Sequence, residues 1–352
     1  MEIINFNFKS IFGMDLEDVD DILENKDKYI RRFTIPKNDG TERNITAPIG
    51  KLKYLQKAIY YNILKKYKHH DAAHGFARNR GISTNAIPHI GAASLGKIDI
   101  KKFFDSISTD HLKNCLFGNK NVCRYCKNYE RMMHGKCNPS IYKNKMKKFD
   151  FGCEEIKAVF IPDYCKQTGY QSLFLRVIEA CIYKGCTAQG FPTSPMIANI
   201  VLRGLDKAVT EHCDKESVTY TRYADDLTFS SKTMNSKQLS DYTKLKTYRL
   251  LWAFKFFPKR EKTRYRNGKS TRLKTCGVVV NVKSNLEKSL VHKFRAKVHN
   301  AICKTPELTN KKKIRQLKGW ASYLMSINKD KGMKYMTMLT KFEHEKFPKV
   351  AT

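Results

Sequence analysis

Apolar residues at Leu52, Leu55, Ile59 and Ile63 recur every three or four positions, which predicts an amphipathic helix over residues 52–67. The period changes in residues 93–108 (ASLGKIDIKKFFDSIS). There Leu95, Lys97 and Asp99 share one face of a short strand, Ile98 and Ile100 take the other, and a turn follows. In FPTSPMIANIVLRGLD (residues 191–206) a helix start is legible: Ser194 as N-cap, Pro195 at the first helical position, then Ile197, Ile200, Val201 and Leu205 on one side. Residues 218–230 predict strand, tight turn and strand, with Ala224, Asp225 and Asp226 at the bend. From Asn285 onward the pattern is helical, with Trp320, Leu324 and Ile327 at helical spacing. One stretch breaks the pattern. Residues 118–150 hold nine Lys/Arg against two acids with little apolar periodicity, and residues 118–170 read as a basic insertion in the larger body. No internal repeat or low-complexity linker interrupts the rest.

A length of 352 residues suggests about two packed units, or one large body with an appendage, at roughly 150 residues per domain. With 41% apolar and 11% aromatic residues the chain can bury a core, which excludes disorder by composition for most of it. The 67 Lys and Arg against 33 Asp and Glu leave a formal charge of +34, so a polyanionic partner, nucleic acid or an anionic membrane surface, is expected. The membrane is the weaker option. The N-terminal stretch is acidic and has no apolar signal-like core, and no apolar run approaches the roughly 18–20 residues that span a bilayer. Eleven irregularly spaced cysteines do not form a secreted disulfide framework, which predicts a reducing cytoplasm. Cys123-x-x-Cys126 has zinc-knuckle spacing, and Cys137 and Cys153, with His134 as a substitute, could complete a structural Zn²⁺ site in the insertion. Such an ion would let a polar segment fold without an apolar core; the competing reading is a basic loop with unliganded thiols.

In so basic a chain, acids between apolar neighbours are informative. Asp99 lies between two Ile, and Asp225-Asp226 between Ala224 and Leu227. Adjacent carboxylates at a hairpin tip repel one another unless cations occupy the site. With a third carboxylate on another strand they make a hard-oxygen pocket suited to Mg²⁺, and two such ions can activate a 3′-hydroxyl and stabilise leaving pyrophosphate. The plain alternative is a surface turn, since Asp-Asp is common in turns.

The motif order decides between them. RNITAP with Arg43, GFARNRGISTNA from Gly75, IDIKKFF with Asp99, QGFPTSP from Gln189, YADD at 223–226, Lys262-Thr263 and CGVVVN near Gly277 follow one another in sequence. This series resembles the reverse transcriptases. NAIPH, with Asn85 and His89, and the C-terminal RQLKGWASYLMSIN are similar to the bacterial retron group, as is a chain without maturase or endonuclease extensions. Thr275-Cys276-Gly277 departs from the Val-Thr-Gly common in that group, and the cysteine-bearing insertion is a second departure.

The resemblance implies an α+β right-hand polymerase: N-terminal helices and fingers over 1–92, an antiparallel-sheet palm over 93–283 with the 118–170 insertion, and a helical, RNA-recognising thumb over 284–352. It also implies roles. Asp99 and Asp225 would hold two Mg²⁺ ions, with Asp226 as a weaker or shared ligand and the Ile100 carbonyl completing one sphere. Phe104 would exclude a 2′-hydroxyl, with Phe103 as its core neighbour. Gln189, Gly190 and Tyr223 would flank the incoming nucleotide, Arg43 and Lys37 would clamp its triphosphate, and Lys262 would protonate departing pyrophosphate. Nine Lys/Arg fall within residues 255–274, so a basic loop on phosphates competes with that last role. Asn85 and His89 would position RNA or pack, and Trp320 reads as a packing anchor before a base-stacking platform.

The implied partners are a cognate structured RNA, its branched cDNA product, deoxynucleotides and a separate effector in defence against phage. Three other readings differ in chemistry. A template-independent defence polymerase would keep the acids but not the RNA-specific thumb, a group II intron-like enzyme would carry further domains, and a scaffold would bind RNA without catalysis.

Overall fold

The computed structural model describes residues 9, 12–37, 40–67, 69–112, 176 and 178–348. In chain order its main elements are α1 (Leu16–Glu24), β1 (Ile30–Pro36), β2 (Glu42–Pro48), α2 (Gly50–Asn62), β3 (Ser94–Asp99), α3 (Ser194–Asp214), β4 (Thr219–Tyr223), β5 (Asp226–Ser231) and α4 (Ser236–Ala253). The series continues with β6 (Arg264–Asn267), β7 (Lys274–Thr275), β8 (Val278–Val279), α5 (Lys288–His299), α6 (Lys311–Ile327) and α7 (Lys329–Lys346). The mixture of helices and antiparallel sheet is the expected α+β class. One sheet runs β4-β5-β3-β6, and β1-β2 and β7-β8 are separate pairs.

The chain divides into two compact units, each assembled from three stretches. The first comprises residues 1–78, 97–227 and 242–263. The helix expected over 52–67 runs over Gly50–Asn62 and gives way to a short 3-10 turn at Leu64–Lys66; Leu52, Leu55 and Ile59 in it are inaccessible, Ile63 just past its end is nearly so, and α1 packs against this helix. The α3 stripe of Ile197, Ile200, Val201 and Leu205 is likewise buried, and α3 lies on β4. Its start is displaced by one residue from the sequence expectation. Thr193 flanks the helix, and Ser194 instead donates its hydroxyl to the Ala188 carbonyl at 2.8 Å. The β1-β2 hairpin pairs Phe33 with Ile45 and Ile35 with Arg43 and is largely exposed along β1. Burial pushes the Cys181 and Cys213 thiols up to about 12, so both are packing groups rather than reactive ones.

The second unit comprises residues 79–96, 228–241 and 264–352. Its core gathers Ala86, Ala92 and Leu95 with Val278, Phe294, Leu317, Leu324 and Leu339. The helices α6 and α7 pack closely, and Gly332 brings backbone against backbone: a Cβ there would lie 2.2 Å from the Met325 Cα. Asn310 and Asn328 each cap a helix by accepting from the backbone N–H three residues on, which satisfies a donor that the first turn leaves unpaired. Among the described residues no helix is long and apolar enough to cross a membrane.

Candidate active site

The strand alternation read from IDIKK is observed. Ile98 and Ile100 are buried, while Lys97 and Asp99 on the opposite face are partly open. The chain at β3's end meets the β4-β5 turn: the Ile100 N–H donates to the Asp225 carbonyl at 2.9 Å, and the Lys259 N–H donates to the Asp99 carbonyl at 2.7 Å. Asp99, Asp225 and Asp226 are thereby drawn into one region from distant parts of the chain. Burial pushes the Asp225 carboxyl up from its ordinary range. The negative charges of Asp99 and Asp226 push it further, against the opposing field of Lys262.

Cations already engage the outer acids. Lys97 forms an ion pair with Asp226, and Lys262, in a short helical turn at Arg260–Lys262, stands 3.6 Å from Asp99. Among the described residues no three His, Cys, Asp or Glu side chains converge as a ready metal cage. The donor set nonetheless fits a hard divalent cation. Two carboxylates from separate segments, one of them in an electrostatically unfavourable setting, would be stabilised by a bound positive ion. Asp99 and Asp225 are the residues that would hold it, with Asp226 drawn toward Lys97.

A cavity of about 340 Å³ is lined by Lys37, Glu42, Arg43, Lys184, Thr187 and Gln189, among others. Three of the residues proposed from sequence to hold nucleotide therefore share one pocket. The Thr46 N–H donates to the Gln189 carbonyl at 2.8 Å, fixing this segment to β2. Gly190 follows at φ +123, and a Cβ there would stand 2.7 Å from the Thr46 carbonyl oxygen, so glycine is required twice over. Phe104 is half-buried beside Phe76 and Phe103, with ring centroids 6.1 and 5.1 Å away, and its carbonyl accepts from the pocket residue Thr187 at 2.7 Å. Phe103 is buried, as the pair's core member should be. Tyr223 ends β4 beside the turn. Lys184, which sequence reasoning passed over, adds a third cation to the lining. It occupies the tip of a two-residue hairpin with Gly185, both at positive φ, and the Lys-Gly pair between bridged Tyr183 and Cys186 was the available signal.

Of the two roles expected for Asn85 and His89, RNA positioning or packing, their surroundings in the second unit are those of packing. Asn85 and His89 are both fully buried. Asn85 donates to the Thr275 hydroxyl at 2.9 Å, Thr275 lies 3.0 Å from the Thr228 hydroxyl, and His89 Nδ1 is 2.6 Å from the Ser230 hydroxyl. Their side chains brace β5 and β7 from inside and present nothing to an RNA surface. The Thr-Cys-Gly triplet is the β7-β8 turn: Thr275 makes the buried contact, and Cys276 and Gly277 take positive φ of 48° and 80°. Trp320 is 43% exposed, on the flank rather than in the α6 stripe, and stacks on Phe294 at 6.3 Å. The zinc ligands expected from the sequence, Cys123, Cys126, Cys137 and Cys153, lie outside the described residues.

Residues 143–280, which include Asp225, Asp226 and Lys262, match the family model for reverse transcriptase (RNA-dependent DNA polymerase). Over that span the chain is similar to the reverse transcriptases. Among curated relatives it is 30% identical over 328 residues to the retron Mx162 reverse transcriptase of Myxococcus xanthus, covering 88% of this chain and 60% of that protein. It is 27% identical over 318 residues to the retron Ec86 reverse transcriptase of Escherichia coli, covering 89% of this chain and 81% of that one. Among solved structures, the Candida albicans telomerase aligns over 91% of this chain and 64% of its own, with a TM-score of 0.47 and 12% identity.

Proposed function

We propose that this chain is a retron-type, RNA-directed DNA polymerase that copies a cognate structured RNA into DNA. The observation that carries the reading is the junction of Asp99 with the Asp225-Asp226 turn through the Ile100–Asp225 backbone bond. The cavity bearing Lys37, Arg43 and Gln189 supports it. Divalent magnesium, when bound, supplies the Lewis acidity that activates the primer hydroxyl and stabilises the leaving pyrophosphate. The protein's share is positional. Asp99 and Asp225 present hard oxygens from two fixed backbones, and Arg43 and Lys37 offer donors suited to a triphosphate. The Lys262 ammonium, already facing Asp99, can deliver a proton to departing pyrophosphate. Priming from a guanosine 2′-hydroxyl of the template would give a branched RNA–DNA product, and an antiphage role would depend on an effector acting in trans.

The nucleic acid that co-purifies with the protein tests this directly. A branched RNA–DNA species, together with extension on that RNA in the presence of deoxynucleotides, is the expected result. DNA made equally well without any template would instead favour the template-independent class.

The aromatic beside the pocket carries its own prediction. A bulky ring under the sugar leaves room for hydrogen at C2′ but not for oxygen, so Phe104→Ala should admit ribonucleotides, lowering selection against them by roughly 10- to 100-fold. Competition between matched ribo- and deoxynucleotides measures it, and unchanged selectivity would remove Phe104 from that role.

A further inference from the structure

We propose that Arg222, held by Asp206 and Asn199, is a positioning residue that sets the left-handed turn at Ala224 and hence the placement of Asp225. Arg222 lies on β4, two residues before the turn, and is fully buried, the bulkiest such side chain among the described residues. An apolar side chain of similar volume would fill that space without the desolvation penalty of a guanidinium, so the donors of Arg222 must do something that volume does not.

They are used in a directed way. Nε and Nη2 donate to the two carboxylate oxygens of Asp206 at 2.8 and 2.6 Å, a bidentate pair supported by the Tyr220 hydroxyl at 2.9 Å. Nη2 also donates to Asn199 Oδ1 at 3.1 Å, and Nη1 donates to the Ala224 carbonyl at 3.1 Å. Ala224 has φ +56, a conformation that a residue with a Cβ adopts only when its surroundings impose it.

The ring of contacts closes on itself. The amide nitrogen of Asn199, whose oxygen receives Arg222, donates to the Gly75 carbonyl at 3.0 Å. Gly75 stands against the other side of the turn, so closely that a Cβ there would lie 2.4 Å from the Ala224 nitrogen. The Arg222 backbone is fixed as well: its N–H donates to Ala72 at 2.6 Å, and its carbonyl accepts from His74 at 2.8 Å. The turn is therefore gripped from its carbonyl by Arg222 and backed by Gly75, with Asn199 linking the two. The next residue is Asp225, whose carbonyl accepts from Ile100 beside Asp99. Neither Arg222 nor Asn199 is placed to touch nucleotide. Their effect passes through the turn.

The functional consequence rests on the polymerase reading; the geometric one does not. Arg222→Lys keeps a charge for Asp206, but one ammonium cannot also serve Asn199 and Ala224. The expected result is a turnover roughly 10- to 100-fold lower, with nucleotide KM and RNA affinity within about twofold. Amide exchange in the peptide spanning Arg222 to Leu227, and at Ile100, should quicken about tenfold, independently of any activity. Adding Ala224→Gly, which makes the left-handed conformation free of steric cost, should recover part of both losses. A purely structural role would show lower turnover only in proportion to the folded fraction, with no recovery from the glycine, and would overturn the proposal. If Arg222→Lys fails to fold, Asn199→Ala leaves the Asp206 pair intact and should show the same turnover and exchange pattern; wild-type behaviour in it would overturn the proposal equally. Wild-type protein that makes no DNA, yet whose hairpin loosens in Arg222→Lys, would sink the polymerase reading and leave the positioning role standing.

Discussion

Asp225→Ala combined with Asp226→Ala should reduce DNA synthesis by at least about 10³-fold while the protein still binds RNA. Losing Asp225 removes one of the two carboxylates that the backbone brings to the β3 end, and with Asp226 gone as well, Asp99 is what remains of the three acids drawn together there. RNA binding should change by less than about twofold, since it depends on the chain's basic surplus and not on these acids. Primer extension and filter binding on the same preparation give both numbers. Extension that survives the double change would show the chemistry to reside elsewhere. The single variants should differ. Asp226→Ala should be the milder, because that carboxylate is already engaged by Lys97.

Gly332→Val should destabilise the second unit by about 3 kcal/mol or more. The atoms a new Cβ would meet, 2.2 Å away, are the Met325 Cα and backbone nitrogen, which cannot rotate aside as a side-chain end could. The helices α6 and α7 would have to separate, opening the core around Leu324, Ile327 and Leu339. Gly319 supplies the contrast. It lies in the same helix as Met325 but faces solvent with nothing near an added Cβ, so Gly319→Ala should be neutral or stabilise by up to about 1 kcal/mol. Thermal unfolding followed by circular dichroism separates the two. Equal midpoints for the valine variant and the parent would contradict the close approach of the two helices.

What could be read from the sequence was whatever a local period encodes. The α2 and α3 stripes, the alternation of Lys97, Ile98, Asp99 and Ile100, and the turn at Ala224 all have short repeats and came through. Contacts between residues far apart in the chain did not. Arg222 looked like one more charge in a basic protein, because nothing nearby announces Asp206 sixteen positions earlier as its partner. For Asn85 and His89 the sequence leaves RNA positioning and packing both open, since a polar residue in a short motif gives no sign of the face it occupies. Their partners, Thr275 and Ser230, lie 190 and 141 positions away. Gly75, Gly190 and Gly332 share that difficulty: a missing Cβ matters only when the atoms opposite are known. Trp320 kept helical spacing with Leu324 and Ile327 but sits beside the buried stripe, where a large ring can pack with one edge and remain in solvent with the other.

The discontinuity of the second unit bears on how such proteins could be recombined. Its hydrophobic centre draws Ala86, Ala92 and Leu95 from a stretch nearly two hundred residues before the helices they support. A hybrid that exchanges only the segment after residue 264 would join one parent's helices to the other parent's residues 79–96 and 228–241. The inherited halves would have been shaped for different neighbours. The transferable cassette is therefore the three stretches moved together, and a crossover placed by reading along the chain alone would cut through the middle of a core.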